Sequence, residues 1–134
     1  MTFETAFFSL TFSLLSPLIM PHFIIHCSEN LTRIHDKKEI METVYQQAIA
    51  SELFERTDIK VRVQSFDEFI AGEGSDDFIH VFGNIMEGRT AEQKANLSRR
   101  IVSALNGLFP QSPIVSMNVR DFEKDSYCNK AMVV

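Results

Sequence analysis

The apolar positions of this 134-residue chain change period several times, and each change marks an element. Residues 22–27 form a short β-rich run. Between 36 and 54, Ile40, Val44 and Ala48 recur with Met41, Tyr45, Ile49 and Leu53, which is helical spacing with one buried face. Asp36, three residues before Glu39, has the form of the N-terminal cap of that helix. Over 59–65 the period falls to two: Ile59, Val61 and Val63 alternate with Lys60, Arg62 and Gln64, as in a strand. The stretch 67–77, with Gly72, Gly74 and several acids, reads as a connector. Residues 78–82 predict a third strand. Thr90 with Gln93 predicts a capping box that opens a second helix, its inner face made by Leu97, Ile101, Val102, Leu105 and Leu108. Pro110 and Pro113 close it, residues 114–122 predict a fourth strand, and the tail 123–134 is polar up to Ala131.

These elements form one β-α-β unit used twice. Phe23-Ile24 returns 55 residues later as Phe78-Ile79, and Val63 with Phe66 returns 56 residues later as Val119 with Phe122. A helical crossover implies parallel strands within each unit and a right-handed connection. The expected fold is therefore α+β, a four-stranded mixed sheet with both helices on one face. The other sheet face then needs a partner.

Composition narrows the function classes. Hydrophobic residues make up 45% and charged residues 23%, ordinary for a single globular domain. The formal charge is −5. Residues 1–20 contribute only Glu4, so 21–134 carries 17 acids against 13 bases, or −4. That balance speaks against a nucleic-acid or anionic-membrane binder, and any anion must be held by a few local cations. The two cysteines, Cys27 and Cys128, give neither a metal-ligand pattern nor a disulfide framework, which fits a reduced cytoplasmic setting. HExxH, GxGxxG and a phosphate loop are all missing.

Met20-Pro21 carries the candidate chemistry. Proline directly before a strand removes a backbone donor, which is odd inside a chain. It makes sense at an N-terminus, because an initiator methionine followed by proline is ordinarily removed. Residues 1–20 are apolar and serine-rich. They have no early Lys or Arg, no small-x-small cleavage site, and too many interruptions for a membrane helix. We read them as an extension outside the mature protein, a mis-set start or a leader, followed by one domain over 21–134. A free Pro21 would present a secondary amine; α-amino groups titrate near pH ~7.7–8.0, and burial and nearby cations tune them further.

Pro21-His22-Phe23-Ile24, followed by Cys27-Ser28-Glu29-Asn30, resembles the opening of the tautomerase superfamily. It is most similar to the 5-carboxymethyl-2-hydroxymuconate isomerase family, whose mature chains begin Pro-His-Phe-Ile with Cys-Ser-x-Asn after it. Residues 59–63 and Gly88-Arg89-Thr90 resemble two later pieces of the same family. The resemblance implies the tautomerase-like fold, a homotrimer with the open sheet faces inward, and a cofactor-independent isomerase acting on an unsaturated dicarboxylate from aromatic catabolism. It further implies Pro21 as the catalytic base, Arg89 near it on the substrate, and Arg62 and Lys60 as substrate-binding cations. Lys60 stands where the family has arginine, keeping the charge and losing the fork. Other activities of the superfamily on a related 2-hydroxy dienoate stay open. So does a non-catalytic trimeric binding module, should Pro21 not be N-terminal. His22, His26 and His80 are expected to be core or interface histidines, and Asp76 and Asp77 solvated.

Overall fold

The computed structural model describes residues 20–133. The expected extension therefore lies, apart from Met20, outside the described residues. Strand β1 (His22–Ser28) runs into a short helix α1 (Glu29–Ile34) and then α2 (Lys37–Ala50). Strand β2 (Lys60–Phe66) follows, then β3 (Ile79–Met86), α3 (Ala91–Leu108) and β4 (Val115–Phe122), and two 3-10 turns close the described chain. The sheet order is β2-β1-β3-β4. β1 is parallel to β2 and β3 to β4, while β1 and β3 are antiparallel. The doubled β-α-β unit and the mixed sheet are thus as the periodicity predicts.

The caps set the helix starts. Asp36 accepts from the Glu39 amide at 2.8 Å. Thr90 accepts from the Gln93 amide at 3.1 Å, while the Gln93 side chain accepts from the Thr90 amide at 2.9 Å. The periodicity did not reveal α1, whose six residues bury only Leu31 and whose Ser28 cap makes no side-chain hydrogen bond.

Strand alternation splits the sheet into two unlike faces. On one face Phe23, Ile25, Cys27, Ile79, Val81 and Ile85 are fully buried against Ile40, Val44 and Ala48 of α2 and Leu97, Ile101 and Leu105 of α3. Val102, expected on that inner face, is only half-buried. Among the described residues no helix packs on the other face. Its rows run across all four strands: Lys60, His22, Asn84 and Arg120 at the end nearest Pro21, then Arg62, Ile24, Phe82 and Asn118, then Gln64, His26, His80 and Ser116.

Candidate active site

Pro21 sits directly before β1 and is buried. Its carbonyl accepts from the Lys60 amide at 3.2 Å, so the first residue of β2 is tied to the start of β1. β3 runs antiparallel to β1, and its final residues therefore lie beside the beginning of β1. The chain leaves β3 through Gly88, whose φ of +120° is a conformation that side-chain-bearing residues rarely adopt. That turn delivers Arg89 and the Thr90 cap of α3. Topology thus brings Pro21, Lys60 and Arg89 to one end of the sheet from three separate segments.

The three arginine and lysine candidates are not on the same side. Arg89 lies on the helix side. Its guanidinium donates to the Leu53 carbonyl and stands over the Phe54 ring, 5.2 Å from the centroid. Phe54 in turn meets Phe23 edge to face at 5.9 Å. Burial pulls the Arg89 guanidinium down from its ordinary value, and Asp121 partly opposes this. A half-buried guanidinium held by a neutral carbonyl keeps its positive charge available for an anion. Its stacking partner is the Phe54 ring rather than the open helix N-terminus, where the Thr90 cap already occupies the Gln93 amide.

Lys60 and Arg62 point to the open face and are exposed, as the period of two predicts. The Lys60 ammonium donates to the Asp58 carbonyl at 2.5 Å. Arg62 donates from Nη1 to His22 Nδ1 at 3.0 Å. Burial first, then the charges of Arg62 and Lys60, hold His22 below its ordinary value.

Sequence reasoning missed the groups that hold these cations. Leu53, expected on the buried face of the helix over 36–54, lies instead with Phe54 in the α2–β2 connection, because the helix ends at Ala50; Phe54 had no place in the helical period. His22 reaches Arg62 across 40 residues. The three strand histidines lie half-buried on the open face, away from the helix-side core. His80 is held at both nitrogens, by Ser116 Oγ and Asn118 Oδ1, each at 2.7 Å. Asp77, expected to be solvated, accepts from the buried Ser28 hydroxyl at 2.8 Å. Cys27 is buried, which pushes its thiol up to about 11 despite Lys37. Among the described residues no group of three or more His, Cys, Asp or Glu could hold a metal ion, and no helix is long and apolar enough to cross a membrane.

The model of the 5-carboxymethyl-2-hydroxymuconate isomerase family matches residues 21–131. The chain belongs to that family. Its fold is similar to a solved 5-carboxymethyl-2-hydroxymuconate isomerase from Deinococcus radiodurans R1, with TM-score 0.74 and 21% identity over 87% of this chain and 92% of the other. It is also similar to a solved 5-carboxymethyl-2-hydroxymuconate delta-isomerase, with TM-score 0.68 and 16% identity over 83% and 87%. A fused 4-OT, described as a wild-type symmetric trimer, aligns with TM-score 0.69 and 18% identity over 84% and 94%. At these identities the likeness is one of fold. No curated protein matches the chain. This member of the isomerase family thus has the tautomerase-like fold, with its family match beginning at Pro21.

Proposed function

We propose that the protein is a cofactor-independent isomerase, a 5-carboxymethyl-2-hydroxymuconate delta-isomerase of aromatic-acid catabolism, with Pro21 as its N-terminal base. The observation that carries this reading is the convergence of Pro21, Lys60 and Arg89 at one sheet end in a chain whose family match starts at Pro21. In the neutral form, the Pro21 nitrogen takes a proton from the substrate hydroxyl or carbon. The negative charge spreads into a dienolate held by Arg89 and, across the proposed trimer, by Arg62 of the open face, and the proton returns to a different carbon. Lys60 supplies a further positive charge for the second carboxylate. Nearby cations disfavour protonated proline and so keep the base free at neutral pH.

The mature protein of this reading starts at Pro21. In the longer chain an amide occupies the proline nitrogen, and Met20 is itself buried, 5% exposed, against the fold. A chain that keeps Met20 would be a binding module only. The working assembly is a homotrimer with the uncovered sheet faces inward, in line with the trimeric relative, and it is cytoplasmic. A different tautomerase-superfamily reaction on a related 2-hydroxy dienoate is the second reading, favoured by Lys60 in place of the family arginine.

The test is a pH–rate profile of the 21–134 protein on a 2-hydroxymuconate-type dicarboxylate, with Arg89→Ala beside the wild type. Removing a charge-assisted contact of about 1.5–3 kcal/mol should lower kcat/KM roughly ten- to a hundredfold. It should also move the onset of activity to higher pH, because protonated Pro21 loses a repelling neighbour. An Arg89→Ala enzyme equal to wild type in rate and midpoint would remove Arg89 from the site.

A further inference from the structure

An exposed arginine samples many rotamers, and ordering it on a ligand costs conformational entropy. Arg62 is exposed on an edge strand of the open face, and its guanidinium donates to the Nδ1 of His22 on the neighbouring strand. Guanidinium only donates, so Nδ1 must accept, which places the single ring proton of neutral His22 on Nε2. The contact is diagonal: His22 pairs with Lys60 in register, and Ile24 pairs with Arg62.

The chemical identity of the acceptor matters. A carboxylate in this place would orient the guanidinium more strongly but would neutralise it. A neutral imidazole orients it and leaves the full positive charge for an incoming carboxylate. Resting on the reading of Arg62 as a substrate-binding cation, we propose that His22 is a positioning residue for Arg62, a neutral acceptor that presents the guanidinium to a substrate carboxylate without cancelling its charge.

The surroundings favour the neutral ring. The charged groups facing His22 are Lys60 and Arg62 from β2; Asn84 faces it from β3, with Arg120 one strand beyond. All of those charges are positive, and partial burial adds to them in disfavouring an imidazolium. The Nε2–H remains as a second donor on the same face.

Three His22 variants of the 21–134 protein, beside the wild type and Arg62→Gln, separate this from a merely structural histidine. His22→Asn keeps an acceptor close to the place of Nδ1. His22→Phe keeps the ring and removes the acceptor. His22→Asp keeps the acceptor and adds a negative charge. On a 2-hydroxymuconate-type dicarboxylate, His22→Asn should stay within about threefold of wild-type KM. His22→Phe should raise KM about five- to twentyfold with kcat changed less, the loss of roughly one hydrogen bond's worth of ordering. His22→Asp should raise KM for the dianion at least as far. Nitrogen-15 spectra of the resting wild type should show Nε2 protonated and Nδ1 as an accepting nitrogen, with the Nδ1 signal moving in Arg62→Gln. Equal KM in the Asn and Phe forms, or a proton on Nδ1 at neutral pH, would overturn the assignment. Should the protein turn over no such substrate, the proposed function fails, while the nitrogen spectra still decide the His22–Arg62 contact. They also decide it should His22→Phe fail to fold.

Discussion

The two faces of the sheet are made by the same four strands and follow opposite rules. On the helix side successive residues are aliphatic or aromatic and fully buried, from Phe23 and Ile25 to Ile79, Val81 and Ile85. On the open side the same strands carry mainly cations, histidines and amides, from Lys60 and His22 to Asn84 and Arg120, with Ile24 and Phe82 among them. Burial of apolar area, at about 25 cal/mol per Å², holds the chain together through the first face. The second face contributes little of that and holds charged and polar side chains instead. The β1 strand shows the division within one residue: Ile25 belongs to the core, while Ile24 faces the open side.

Neighbouring isoleucines therefore give the sharpest separation. Ile25→Ala should cost about 2–5 kcal/mol in urea unfolding, because it leaves a cavity in a fully buried cluster. Ile24→Ala should cost the isolated chain under about 1.5 kcal/mol and appear mainly as weaker association in sedimentation. Similar losses for both would erase the distinction between the faces.

A smaller effect tests how tightly the helix side is filled. A Cβ at Gly83 would stand 2.7 Å from the Met117 methyl and 3.4 Å from the Phe23 ring. The Met117 end is flexible and can move aside, so Gly83→Ala should lower stability by only about 1 kcal/mol. Thermal unfolding of that variant checks it.

The smallest effect lies on the open side. Folding holds His22 below its ordinary value, so the unfolded chain takes up its proton first as pH falls. The stability tied to neutral His22 is then fully present above the unfolded value of about 6.5 and is lost as pH drops through it toward the lower folded value. His22→Asn has no such group. Between pH ~7.5 and ~5.5 the wild type should lose more stability than His22→Asn, and parallel losses would contradict the sign.

The two faces also differ in how far the sequence alone reveals them. The period of two in residues 59–65 already separates Lys60 and Arg62 from Val61 and Val63, and the Thr90-to-Gln93 spacing already places the start of α3. Both signals are local. What holds the cations is not local: Leu53 and Phe54 meet Arg89 across the fold, and His22 meets Arg62 through strand pairing. The short α1 escaped because six residues with one buried leucine leave no period to read. Asp77 looked like one acid among several until the fold set it beside Ser28.

The central claim is that a free Pro21 nitrogen is the base. Two preparations differing by one residue test it, the chain starting at Pro21 and the same chain with Met20 retained, each assayed on a 2-hydroxymuconate-type dicarboxylate after its N-terminus is verified by intact mass. The chain with the free amine should isomerise the substrate with a pH-dependent onset, and the chain with Met20 should show no turnover above background. Equal rates from the two would contradict the account, since an amide nitrogen cannot take the proton.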